Sequence, residues 1–240
     1  MTLEEKQQDI IDEFAMFEDW MEKYEYIIEL GKGLPLIKES KKTDDKLIDG
    51  CQSRVWLSTE VEDGVMKFTA DSDAIITKGI IGLLVRVLNG EKPEEVAKTN
   101  LHFIDEIGLH EHLSPTRSNG LASMVKRMKL EAVAAVWVMI ELENKIVDVL
   151  KSIYDPEIPV DIYELGLIYE VKINAETMHV DIEMTLTSPN CPVAESMPKE
   201  VEDKVAGHPE VSSAKVNIVF DPPWDKDMMS EEAKLELGFL

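Results

Sequence analysis

One stretch of this chain limits its fold more than any other. Ser114-Pro115 opens a helix, since proline suits the first helical position, and no clear stop follows before Asp155-Pro156. Inside that run Val133, Val136, Trp137 and Ile140 form one apolar stripe, and Ile146, Val149, Leu150 and Ile153 form another. At ~100° per residue, the thirteen positions from Val133 to Ile146 turn the stripe by roughly 220°. One helix cannot bury both stripes against one surface. The chain is therefore expected to cross between two cores near residue 142, giving domains 1–142 and 143–240. The junction has no enrichment in Gly, Ser or Pro, which predicts a stiff helical join.

Charge narrows the partners. Residues 1–142 hold 17 basic and 27 acidic side chains, a net of −10, and residues 143–240 hold 8 and 21, a net of −13. The sum is the −23 of the whole chain, so the acidity is spread and is not a tail. That balance argues against nucleic acid and against anionic lipid surfaces, because both want a basic face. The longest apolar runs, Ala132–Ile140 and Ile80–Val85, fall short of the ~20 residues a membrane span needs. The start, Met1-Thr2-Leu3-Glu4-Glu5, lacks the basic and apolar regions of a signal peptide. Two distant cysteines, Cys51 and Cys191, make neither a disulfide framework nor a thiolate-rich zinc site. A cytoplasmic location is the expectation.

The first ~30 residues read as helix, with Ile10, Phe14, Phe17 and Met21 at helical spacing and Thr2 with Glu5 as a capping box. A polar segment from Lys38 to Gly50 follows. Arg54–Glu60 and Val65–Ala70 read as strands around Asp63-Gly64, a strong hairpin signal. A helix runs from Asp73 to Leu88 and stops at Asn89-Gly90, and short helices start at Pro93 and cover Leu101–Ile107. The second part reads helix, strand, strand, helix, strand. Its strands are Ile168–Ile173, Val180–Leu186 and Val211–Phe220, its helix lies within Pro192–Ala206, and Ser230 caps a final one. The fold class is α+β: a small antiparallel sheet packed with helices, then a second small α/β sandwich.

Three places carry chemistry. Cys51, in Gly50-Cys51-Gln52-Ser53-Arg54-Val55-Trp56, is a lone thiol at a loop tip where a visiting protein could reach it. Arg54 and Lys46 favour the nucleophilic thiolate there. The competing reading is a small buried apolar Cys at a strand start. Cys191 caps a helix that Pro192 opens, so the helix dipole should lower its pKa; an inert structural turn is the alternative. The loop Asp155-Pro156-Glu157-Ile158-Pro159-Val160-Asp161 holds several carboxylates that could bind a metal or a partner, or be a solvated turn. The five histidines show no metal spacing. The methionines and Trp137 at helical spacing are expected in the core, and Asp221-Pro222-Pro223-Trp224 is expected as a packed turn.

Taken together, residues 1–142 resemble the SufE family of sulfur acceptors. The resemblance rests on Gly50 through Trp56, Asp71-Ser72-Asp73-Ala74, Lys78-Gly79, and Leu113-Ser114-Pro115-Thr116-Arg117-Ser118-Asn119-Gly120-Leu121. It implies that Cys51 accepts sulfur as a persulfide from a PLP-dependent cysteine desulfurase and passes it to an iron–sulfur scaffold complex. Asp73 and Arg117 match family positions, as structural or desulfurase-facing residues. Residues 143–240 resemble the SufT/PaaD-type metal–sulfur cluster assembly factors. Here the matching pieces are Asp155 through Val160, Leu165-Gly166-Leu167-Ile168-Tyr169, Thr187 through Cys191-Pro192, and Asp221 through Trp224. The family's closing Ala-Arg is Ala233-Lys234 here. Asp155 and Cys191 carry over as candidate site residues.

The resulting expectation is a fused iron–sulfur cluster assembly protein: a sulfur carrier and desulfurase activator, not an enzyme with its own small substrate. It has no tightly bound cofactor, no assigned metal ligand, and at most a transient iron or iron–sulfur cluster at the second domain. A lone acceptor thiol suits persulfide transfer, because a nearby second thiol would discharge the persulfide as a disulfide. Ile48, Val55 and Trp56 are expected to wall an apolar pocket around it. The rivals are a thiol-redox enzyme cycling through sulfenic acid, and a tethering module that uses neither thiol.

Overall fold

The computed structural model describes residues 1–156, 158–187 and 196–239. The chain divides into two compact units, Met1–Val136 and Trp137–Leu240, each with its own apolar core. The fold class is α+β, as the sequence implies.

The first unit opens with two helices where periodicity suggests one. α1, Leu3–Ala15, starts at Thr2, which makes the full capping box with Glu5. α2, Trp20–Lys32, starts at Asp19, whose carboxylate accepts the N–H groups of Met21 and Glu22. Asp19 restarts the helix and throws the expected stripe out of phase. Ile10 and Phe14 are buried, while Met21 is exposed.

β1, Val55–Glu62, and β2, Val65–Ser72, form an antiparallel hairpin in which Val55 faces Ser72 and Glu62 faces Val65. Asp63 and Gly64 turn it with φ of 52° and 74°, the left-handed pair that the right-handed strand twist requires. α3, Ile75–Leu88, packs backbone to backbone against α2. A Cβ placed on Gly79 would sit 2.1 Å from the Ile27 carbonyl oxygen, so no side chain fits there. At its end, the Asn89 side chain accepts from Phe68 N–H at 2.6 Å and donates to Phe68 C=O at 3.3 Å, tying α3 to β2. The short helices α4, Pro93–Lys98, α5, Phe103–Glu106, and α6, Leu109–His112, lead to α7, Pro115–Leu150. Phe14, Phe68, Phe103, Leu57, Ile80 and Leu84 are the heart of this core.

α7 corrects the stripe expectation. Its buried positions in the first unit are Leu121, Met124, Met128 and Ala132. Val133, Trp137 and Ile140 are 39%, 66% and 43% exposed, so Trp137 is not a core residue. In the second unit the expected positions hold: Ile146, Leu150 and Ile153 are buried, joined by Leu142.

The second unit is a three-stranded sheet in the order β3-β4-β5. β3, Ile168–Asn174, runs antiparallel to β4, His179–Met184, and β5, Ser213–Ile218, runs parallel to β4. Parallel pairing demands a crossover, and α8, Ser196–Ala206, lies within that connection. Pro198 sits in its first described turn. α9, Glu231–Glu236, is capped by the Ser230 hydroxyl. On β4, Val180, Ile182 and Met184 point into the core, while His179, Asp181 and Glu183 take the opposite face. No helix among the described residues is long and apolar enough to cross a membrane.

Candidate functional site

The loop that carries Cys51 is closed by strand-like pairing. Ile48 N–H donates to Val55 C=O at 2.9 Å, and Leu47 bridges Trp56 in antiparallel fashion. Residues between these pairs must reverse direction in a few steps. Gly50 does so with φ +85°, and a Cβ there would lie 2.7 Å from Ser123 Oγ. Asp73 fixes the other end: its carboxylate accepts Arg54 N–H at 3.0 Å, and its own N–H donates to Arg54 C=O at 3.3 Å. Asp73 therefore ties the exit of the Cys51 loop to the residues that lead into α3.

The Cys51 thiol is half-buried. Its S–H donates to the Gly120 carbonyl of α7 at 3.6 Å, a long sulfur contact. Gly120 packs directly against the thiol: a Cβ there would lie 3.4 Å from Cys51 Sγ. Beside the sulfur lies a space of about 90 Å³, lined by Ser53, Ala74, Ile76, Thr77, Arg117 and Met124 among others. A single water needs only ~10–15 Å³ of such space, so one further sulfur atom fits.

Burial pushes the Cys51 thiol up from its ordinary pKa. This reverses the expectation that Arg54 and Lys46 favour the thiolate. Arg54 places its guanidinium 4.8 Å over the Trp56 ring, and Lys46 has Asp45 at 3.8 Å. The pocket walls also differ from the expected ones. Ile48 and Val55 belong to the core, whereas the space beside the sulfur is walled by α3 and α7.

Arg117 is exposed and lines this space; Asp73 is exposed, bonded to Arg54, and is not part of the lining. Sequence reasoning missed Thr77, Ser53 and the Gly120 carbonyl. Gly120 did stand in a quoted motif, but nothing local says that it touches Cys51, 69 positions away. Close by, Asp71 joins Lys42 at 2.7 Å and Lys78 at 2.8 Å. Burial opposes the charge on Asp71, yet the two ammonium groups together hold its carboxyl below the usual carboxylate range.

In the second unit Asp155 is buried, and its carboxylate accepts Ile158 N–H at 3.0 Å. Asp161 accepts the N–H groups of Tyr163 and Glu164. These carboxylates shape the proline-rich loop they sit in. Cys191 lies outside the described residues. Two other quoted motifs meet in space: Trp224 Nε1 donates to Leu165 C=O at 2.9 Å, and the Tyr169 hydroxyl donates to Pro222 C=O at 2.8 Å. Among the described residues, no three His, Cys, Asp or Glu side chains group to hold a metal ion.

Comparison with known proteins separates the two parts. Residues 8–132 match the family described as Fe-S metabolism associated domain, and residues 143–218 match the one described as Iron-sulfur cluster assembly protein. An uncharacterized SufE-like protein of Rhizobium meliloti (strain 1021) is 41% identical over 128 residues, covering 51% of this chain and 91% of its own. An Fe-S protein maturation auxiliary factor of Porphyromonas gingivalis is 50% identical over 101 residues, covering 42% of this chain and 95% of its own. A crystal structure of a domain of unknown function, DUF59, from Bacillus anthracis is 42% identical. It covers 42% of this chain and 94% of that one, with a TM-score of 0.39.

Proposed function

The chain belongs to the SufE family over residues 8–132, with an iron–sulfur cluster assembly domain after it, and on that premise we propose that Cys51 is a persulfide carrier. The protein works in iron–sulfur cluster assembly. A PLP-dependent cysteine desulfurase supplies the sulfur, and a scaffold complex receives it. The observation that carries this reading is the half-buried thiol at the tip of a pinned loop, beside a space large enough for one more sulfur.

The transfer needs no net oxidation. The long S–H contact to Gly120 is released, and the thiol gives up its proton. Cys51 thiolate then attacks the terminal sulfur of the desulfurase persulfide. The donor's S–S bond breaks, its cysteine leaves as a thiolate and takes up a proton, and a new S–S bond forms on Cys51. The thiolate is the nucleophile, and burial disfavours it. The contact with the desulfurase must therefore draw the loop toward solvent or supply a base. Arg117, exposed and lining the space, and Asp73, exposed and tied to the exit of the Cys51 loop, are the residues we assign to meet that partner.

A thiol-redox enzyme fits less well. Reaction with peroxide wants a low-pKa exposed thiolate, and Cys51 is neither. The test of the carrier reading is intact mass after mixing with a desulfurase and cysteine. The wild type is expected to gain one sulfur atom, and Cys51→Ser to fold and gain none there. Uptake by Cys51→Ser equal to the wild type would end the proposal.

For the second unit we propose a part in cluster maturation, with Asp155 and Cys191 as its site residues and iron or a cluster bound only in passing. The match of residues 143–218 to an iron–sulfur cluster assembly family supports it. Iron bound by chain prepared without oxygen should fall in Cys191→Ser; equal iron in both would remove Cys191 from the site.

A further inference from the structure

The space beside Cys51 is furnished for a charge that the resting thiol does not carry. Thr77, in the first turn of α3, is only 7% exposed and lines it. Its hydroxyl is weakly engaged, donating to Ser53 Oγ at 3.4 Å, where a full hydroxyl pair stands at ~2.7–2.8 Å. α3 is fourteen residues long and begins after Ala74, which offers no side-chain cap. Its first-turn amides and dipole therefore present positive potential at this end. The group that contacts the sulfur now, the Gly120 carbonyl, is an acceptor and suits a neutral S–H.

A persulfide reverses these needs. Its terminal sulfur is more acidic than a thiol, carries the charge, and lies one bond further from Cys51. We propose that Thr77 holds the persulfide: its hydroxyl, at the uncapped end of α3, donates to the terminal sulfur anion of Cys51 and delays its loss to passing thiols. This rests on sulfur acceptance at Cys51. Loss occurs when a thiolate attacks the terminal sulfur, the S–S bond breaks, and Cys51 leaves as a thiolate that takes up a proton. A terminal sulfur kept ionised and walled in repels that attack.

The experiment uses the full chain without oxygen and loads it with inorganic polysulfide. Added sulfur is located at Cys51 by peptide mass, and its decay is followed in glutathione. Thr77→Val is expected to lose sulfur about tenfold faster, the scale of one hydrogen bond to a charged group. Thr77→Ser keeps the hydroxyl and is expected to stay within about twofold of the wild type. The pH profile of decay should move up in Thr77→Val, because the persulfide ionises less readily without its donor; a merely structural loss would leave the profile in place. If Thr77→Val does not fold, Thr77→Ala carries the same expectation. Decay of the Val variant at the wild-type rate, or of the Ser variant as fast as the Val variant, overturns the proposal. So does a wild-type Cys51 that polysulfide cannot load. Loading here bypasses the desulfurase, so retention can fail while desulfurase-fed transfer stands.

Discussion

Burial keeps Cys51 a thiol near neutral pH. Since burial raises its pKa, the thiolate fraction at any pH below that value is smaller than for a free cysteine. Alkylation of Cys51 by iodoacetamide should therefore be slow at neutral pH and rise with a midpoint above the ordinary ~8.5. In denaturant the midpoint should return to that value. A folded-state midpoint below it would contradict the account. At this scale the sequence singles out the thiol and is silent about its walls. The motif from Gly50 to Trp56 marks Cys51, but Gly120 contacts it, and Thr77 and Met124 line the space beside it, through tertiary structure that no local spacing records.

At the scale of elements, the hairpin and the uncapped start of α3 shape the site. Asp63-Gly64 announced the hairpin because only a left-handed pair completes so short a turn. Two other readings went wrong for physical reasons. Asp19 resets the helical phase between α1 and α2, which a stripe read across it cannot show. On α7, Met124, Met128 and Ala132 were buried in place of the bulkier Val133 and Trp137. Apolar bulk marked the stripe, whereas the buried face depends on which side the other elements cover. The rotation of roughly 220° thus starts from Val133, which the first core leaves exposed. Close approach of α2 and α3 gives a further test. Gly79→Ala would drive a methyl into the Ile27 backbone, which cannot yield as a flexible side chain would. We expect a loss of about 3 kcal/mol or more in urea unfolding, at the upper end of overpacking costs. A loss within ~0.5 kcal/mol of zero, the range of ordinary surface changes, would show that the helices are further apart than described.

The molecule as a whole joins two domains that each match an iron–sulfur family. Its first unit carries the SufE match and Cys51, and its second carries the cluster-assembly match and the convergent Tyr169, Leu165 and Trp224 turn. That much was legible in ordered motifs along the chain, and α+β architecture followed from strand and helix periods. The strong acidity, −23 overall, argues against nucleic acid and anionic lipid and names no partner. The central claim is that sulfur from cysteine comes to rest on one side chain and can move on. Its most direct measurement traces isotope-labelled cysteine sulfur, in the presence of a desulfurase, to peptides of the intact chain. The account predicts label on the peptide that contains Cys51, removed by thiol and absent in Cys51→Ser. Label that accumulates only elsewhere, with the Cys51 peptide unmodified, would contradict it.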